Sequence, residues 1–249
     1  MNAFRIDFIL KSAIEINDDS IEPIWDYLGC LYKNGQILKN YELIECETGL
    51  WALVTLPDDS ALDEKNNNIY VDKYLLKVKE HFNVSVKLLG SNMNQSESCG
   101  CESPSWYMLY TDWTLWESPV VCGDCGMAVP LYKLPYIMNY DEHYGIVGWQ
   151  EAYKSTDKLY IYGLSDRFTY RQMHDHKSQL SEDGMDICKA LEEKTRKPFY
   201  YYLFSHHKTS KTCPICGSDW KLREEKTFID YKCDKCRIVA DEVSQYGAK

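Results

Sequence analysis

The sequence has no run of apolar residues approaching the roughly 18 that a membrane-spanning helix requires. Its first apolar stretch, AFRIDFIL, is interrupted by Arg5 and Asp7 and lacks the cleavage site of a secretory leader. Export by that route is therefore not expected, no membrane association is expected, and cytoplasmic residence is the expectation. Glycine-rich phosphate loops and the HExxH helix are missing too, and no serine or cysteine nucleophile is visibly paired with a base. A non-enzymatic role follows as the expectation. Positive charge is also scarce: 28 Lys and Arg face 38 Asp and Glu, a formal net charge of -10. Such a balance suits a basic protein partner better than a phosphate backbone.

What is present divides the chain into three. Residues 1–98 carry 16 acids and 9 bases, residues 99–205 carry 15 and 10, and residues 206–249 reverse the sign with 7 and 9. In the first region Ala3 to Leu10 reads as a strand. A helix follows, capped by Asp19 or Ser20 and running through Tyr32, with Ile21, Ile24, Trp25, Leu28 and Leu31 on one face. Strands over Tyr41 to Cys46 and Leu50 to Leu56, a helix over Ile69 to Phe82 and a strand over Val84 to Leu89 complete a β-α-β-β-α-β order. That order predicts a ferredoxin-like α+β domain over residues 1–90.

Gly90 to Ser98 has linker composition, and an aromatic-rich α+β domain is expected over 99–205. Short strands are predicted at Trp106 to Thr111, Pro119 to Val121 and Met127 to Leu131, helices at Tyr144 to Leu159 and Glu182 to Lys194, and a buried strand at FYYYLF. A second linker near His206 to Lys211 precedes a third domain over 208–249, with strands at Trp220 to Arg223, Thr227 to Tyr231 and Arg237 to Ala240.

Eight of the 11 cysteines fall into tight pairs. Cys213, Cys216, Cys233 and Cys236 form C-x2-C-x16-C-x2-C, in which two thiolate turns converge on one tetrahedral ion and the insertion supplies the strands between them. A structural zinc ribbon is predicted, its four thiolates leaving no open position for activated water. Cys99, Cys101, Cys122 and Cys125 are candidates for a second Zn2+ in the middle domain, a knuckle site with a less diagnostic CxC half; a metal-free pair of turns and a redox CxxC are the alternatives. Cys30, Cys46 and Cys188 read as small buried hydrophobes.

Elsewhere, His174 and His176 in RQMHDHK stand out as a polar loop, with Asp166, Arg167, Tyr170, Arg171 and Asp175 nearby; His206 and His207 read as exposed linker residues. Trp106, Tyr107, Trp113, Trp116, Tyr132, Tyr136, Trp149 and Tyr153 are core candidates, and any subset left exposed beside acids would form a protein interface. On the ribbon, Lys208, Lys211, Lys221, Arg223, Lys226, Lys232, Lys235 and Arg237 are candidate phosphate contacts and Trp220, Phe228 and Tyr231 candidate base-stacking rings.

The segments CPICGSDWKL and FIDYKCDKCRIVADEVS, with SQLSEDGMDICKALEEKTRKPFYYYLF upstream, resemble a bacterial family of zinc-ribbon proteins, domain of unknown function 2310. The resemblance covers most of the chain and implies that Cys213, Cys216, Cys233 and Cys236 are ribbon ligands; Trp220 and Arg237 also fit its pattern. It further implies a nucleic-acid-binding role. The leading expectation from the residues is a zinc-stabilised protein-binding module, an immunity or antitoxin-like partner of a basic protein. The alternative is a DNA- or RNA-binding regulator acting through the ribbon, with a hydrolase centred on His174 and His176 a distant third.

Overall fold

The computed structural model describes residues 1–11, 17–39, 41–205, 209–226 and 229–242, without the side chains of 223–226. It is an α+β structure that divides into two compact units, one built from residues 1–98, 116–118 and 127–144, the other from 99–115, 119–126 and 145–249. No helix among the described residues is long and apolar enough to cross a membrane.

The first unit follows the alternation of its apolar residues. Strand β1 (Asn2–Leu10) buries Phe4, Ile6 and Phe8 on one face. Helix α1 (Asp18–Lys33) buries Ile24, Leu28 and Leu31 against them, at the spacing of successive helical turns. Its cap is Asn17 rather than the expected Asp19 or Ser20. The Asn17 carboxamide oxygen accepts from the Ser20 amide at 3.1 Å, and the Ser20 hydroxyl accepts from the Asn17 amide at 3.0 Å, a reciprocal capping box. Strands β2 (Glu42–Cys46) and β3 (Gly49–Leu56), helix α2 (Ile69–His81) and strand β4 (Phe82–Ser91) complete the unit, with sheet order β2-β3-β1-β4 and every pairing antiparallel. Asn68 caps α2, accepting from the Val71 amide at 2.8 Å.

Residues 127–144 return to this unit rather than continuing the middle domain. The strand expected over Met127 to Leu131 does not form, since Pro130 removes a ladder donor and leads into a short 3-10 turn at Leu131–Lys133. The segment is tied down through Asp58. The Tyr132 hydroxyl donates to it at 2.6 Å, and the Lys133 ammonium pairs with it at 2.7 Å.

The second unit is one six-stranded sheet with its helices. Strands β5 (Tyr107–Leu109) and β6 (Val120–Cys122) are followed by helices α3 (Tyr144–Ile161), α4 (Asp166–His174) and α5 (Gln179–Thr195) and strand β7 (Phe199–Tyr202). Strands β8 (Lys221–Lys226), β9 (Ile229–Cys233) and β10 (Ile238–Ala240) complete the order β6-β5-β7-β10-β9-β8. Strand β10 pairs in parallel with β7 and antiparallel with β9, so the C-terminal segment expected as a separate domain shares a sheet with the middle one. Of the aromatic core candidates, Trp106, Tyr107, Trp149 and Tyr153 are buried, Trp113, Tyr132 and Tyr136 half-buried and Trp116 exposed. Tyr107 stacks on Phe199 at 4.6 Å between ring centres, and Trp149 meets Tyr201 edge-on at 6.1 Å. Helix α4 falls where the sequence reads as a polar loop, because only Thr169 and Met173 are buried along it, too few to register as an apolar face.

Buried acids accompany this core. Asp157 on α3 is 2% exposed; one carboxylate oxygen accepts from the Trp113 amide at 2.9 Å, and the other has no hydrogen-bond partner among the described residues. Burial first, then the neighbouring Asp112, pushes its carboxyl from 3.8 to about 6 against the opposing Trp113 N–H. A folded-state value raised above the unfolded one means stability is lost as pH rises between about 4 and 6, with the full cost present above that window. Asp157→Asn is therefore expected to gain roughly 1–3 kcal/mol at neutral pH, with a smaller gain near pH 5, in urea unfolding. Equal gains at both pH values would show that Asp157 ionises normally in the folded chain.

Candidate metal centres

All eight paired cysteines lie in the second unit, and they gather into two groups of four. Within each group the sulfurs lie within 4.8 Å of one another. The Cys216 and Cys233 sulfurs are 3.7 Å apart, and those of Cys99 and Cys125 are 3.6 Å apart. Four thiolates at a zinc–sulfur bond of about 2.3 Å stand about 3.8 Å apart at tetrahedral corners, whereas a disulfide brings two sulfurs to about 2.05 Å. None of these cysteines is in a disulfide, and the spacing is that of a metal cage.

The backbone builds the cage the same way three times. The amide after the second cysteine donates to the carbonyl of the first: Gly126 to Cys122 at 2.8 Å, Gly217 to Cys213 at 2.9 Å, and Arg237 to Cys233 at 2.9 Å. Each donor residue has positive φ, 75°, 73° and 55° respectively, which explains two of the glycines. Arg237 adopts the same left-handed conformation with a side chain and is fixed by it. Its Nε and Nη2 reach both Glu192 oxygens at 2.9 Å, and its Nη1 donates to the Asp234 carbonyl at 2.7 Å. That guanidinium holds the Glu192 carboxyl below its ordinary range.

The C-terminal group is the better enclosed, with Cys213 and Cys233 buried and Cys216 and Cys236 half-buried. The Ser218 hydroxyl lies 2.7 Å from the Cys216 sulfur. In the central group Cys122 is buried, Cys99 half-buried, and Cys101 and Cys125 exposed. The Cys101 amide donates to the Cys99 sulfur at 3.4 Å, so the CxC turn converges despite its shortness. Asp124 accepts from the Ser105 amide at 2.6 Å and holds the knuckle to the strand entry. Burial, then the neighbouring sulfurs, pushes the Cys99 and Cys236 thiols well above their ordinary range. Holding all four sulfurs this close as thiolates would need a cation among them. Two four-cysteine clusters are thus poised to coordinate metal ions, and an all-sulfur donor set is among those Zn2+ takes in structural sites.

Between the clusters lies a contact chain that sequence reasoning did not find. The Trp106 ring meets Tyr200 edge-on at 5.3 Å, and the Lys232 ammonium lies 4.5 Å from the Tyr200 ring and 5.0 Å from that of Trp106. The Tyr200 hydroxyl donates to Asp234 at 2.6 Å. Nothing in the spacing of these residues announces the cluster, which exists only because the sheet order sets β5, β7, β10 and β9 side by side.

His174 and His176 join no metal group among the described residues. His174 ends α4, stacks on Tyr170 at 4.8 Å and places its Nδ1 2.9 Å from the Phe204 carbonyl. His206, His207, Lys208 and Phe228, and the side chains of Arg223 and Lys226, lie outside the described residues.

An α+β protein with two four-cysteine clusters poised to coordinate metal ions is what these features define. Residues 101–204 match "Domain of unknown function (DUF2310)", and residues 205–244 match "Domain of unknown function (DUF8594)". An uncharacterized protein of Haemophilus influenzae is 31% identical over 168 residues, 62% of this chain and 80% of its own. Another from the same organism is 29% identical over 203 residues, 76% of each chain. A TnpB-like protein of Methanocaldococcus jannaschii is 34% identical over 84 residues, 33% of this chain and 37% of its own. The chain belongs to the family of these Haemophilus proteins and contains the domain of unknown function 2310.

Proposed function

We propose that this is a non-enzymatic cytoplasmic protein-binding module whose fold is fixed by two Zn2+ ions, with a ferredoxin-like first unit and a C-terminal zinc ribbon. One observation carries the reading. The first unit exposes Trp25, Tyr140 and Tyr144, at 48%, 44% and 56%, around a groove that also holds the carboxylates of Asp26 and Glu142. Exposed rings beside acids are what a basic protein partner meets well. An immunity or antitoxin-like role is one such partnership.

The ribbon offers less to a nucleic acid than its composition suggests. Lys221 pairs with Glu242 at 2.9 Å, Lys232 with Asp234 at 3.0 Å and Arg237 with Glu192 at 2.9 Å. Trp220 and Tyr231 are 4% and 1% exposed, so neither presents a face for base stacking. Lys211 and Lys235 are exposed.

Affinity isolation of the metal-loaded chain from its native cytoplasm, with and without nuclease, tests the reading. A stoichiometric protein that survives nuclease is the expected result. Enriched nucleic acid that is lost when Lys211 and Lys235 are neutralised would replace it with the DNA- or RNA-binding alternative.

A further inference from the structure

The groove on the first unit has an internal volume of about 400 Å³ and is floored by α1. Trp25, Gly29 and Lys33 lie at four-residue spacing along that helix and all line it. Gly29 is the unexpected member. A glycine in a helix interior costs about 1 kcal/mol relative to alanine. On α5 a close neighbour explains Gly184, where an added Cβ would lie 2.4 Å from the Tyr201 ring; Gly148 on α3 has no such neighbour, and neither has Gly29. A Cβ added at Gly29 meets nothing within 4 Å. No positive φ is found there either. Among the described residues neither packing nor backbone conformation requires this glycine, and its effect is to keep the floor of the groove clear.

The walls say what the space suits. Lys33 lies over the Tyr144 ring at 5.6 Å and Trp25 packs against Tyr41 at 6.4 Å between ring centres, while Tyr70 and Tyr140 also line the space. The Asp26 and Glu142 carboxylates are half-buried and form no ion pair with a cation among the described residues. Aromatic walls beside two carboxylates, set against one wall lysine, Lys33, that already lies over Tyr144, favour a planar cation that stacks and donates in a fork. A lysine ammonium is a compact, strongly hydrated charge and uses only the second feature. Resting on the protein-binding reading above, we propose that this groove is the docking site for an arginine side chain of a basic partner polypeptide, seated over Gly29 between the aromatic walls and the Asp26 and Glu142 carboxylates.

Calorimetric titration of the metal-loaded full chain with an acetylated, amidated peptide of alternating arginine and glycine tests this. Counterparts carrying citrulline or lysine in place of arginine serve as comparisons. Saturable binding of the arginine peptide is expected, about ten-fold or more weaker for the lysine peptide and for the chain carrying Asp26→Asn with Glu142→Gln, and lost with citrulline. Gly29→Leu should abolish binding while leaving the melting temperature unchanged or raised, because it fills the groove and improves the helix. No saturable binding by the parent chain, equal binding of the citrulline or lysine peptide, or undiminished binding by a folded Gly29→Leu chain would overturn the assignment. A native partner still captured by Gly29→Leu would remove the groove and leave protein binding standing. Absence of any protein partner from the parent chain would remove that broader reading itself.

Discussion

Cys233→Ser is expected to lower the bound metal from two ions per chain, one per cluster, to one, and to loosen the sheet well beyond the C-terminal cluster. Cys233 is 4% exposed, ends β9, and accepts the Arg237 amide through its own carbonyl. Across the turn it faces Ile238, the first residue of β10. Isolated zinc-finger peptides draw about 10–16 kcal/mol from their metal. Here part of the sheet remains when the ion is lost, so a smaller but still large destabilisation, on the order of 4 kcal/mol or more, is expected. The position of β10 carries the damage inward. The Tyr201 and Leu203 amides donate to the Arg237 and Val239 carbonyls at 2.8 and 2.9 Å, so both should lose protection from hydrogen exchange. Metal content by mass spectrometry and exchange at those two amides check the prediction. Two ions per chain with full protection at Tyr201 would mean that Cys233 is not a ligand.

Gly123→Ala should do comparable harm to the central cluster, for a different reason. Gly123 lies between Cys122 and Cys125, and an added Cβ would sit 2.0 Å from two atoms of the Trp106 indole. Its amide already donates to the Trp106 carbonyl at 2.9 Å, which holds the knuckle and the ring together. Trp106 is 5% exposed and packed against Tyr200, so it cannot swing aside without breaking that contact. Overpacking of this kind costs about 1–3 kcal/mol and sometimes more. Because two ligands flank the site of the clash, the second ion is expected to go as well. Trp106→Leu placed in the same chain should restore much of the metal by making room. Full metal and an unchanged tryptophan near-UV signal in Gly123→Ala alone would show that the knuckle does not rest on the ring.

The two clusters are readable in the sequence because tetrahedral coordination dictates the spacing of C-x-x-C turns. The β-α-β-β-α-β order of the first region is readable because Phe4, Ile6 and Phe8 alternate while Ile24, Leu28 and Leu31 follow the helical turn. Legibility stops where a feature depends on chain segments meeting. The pairing of β10 with β7 joins residues about forty apart and leaves no local signature. Arg237 reads as one more ribbon base until Glu192, on α5, is seen to hold it. The aromatic core candidates of the middle region divide between core and surface, Trp149 buried and Trp116 40% exposed. The rings beside the groove's acids belong to the first unit, where Trp25 reads from periodicity alone as a core position and yet is 48% exposed. Helix α4 escapes because polar composition outweighs two buried side chains.

The parallel pairing of β10 beside β7 also bears on how the chain is made. A ribosome releases β5, β6 and β7 well before residues 238–240 emerge, and until then β7 presents an open edge lined with Tyr200, Tyr201 and Tyr202. Closing that edge waits on the C-terminal segment and, under the two-ion reading proposed above, on the ion that folds it. On that reading, supply of metal during synthesis sets how long a sticky tyrosine-rich strand stays uncovered, and nascent chains made in scarcity are the ones exposed to aggregation and proteolysis.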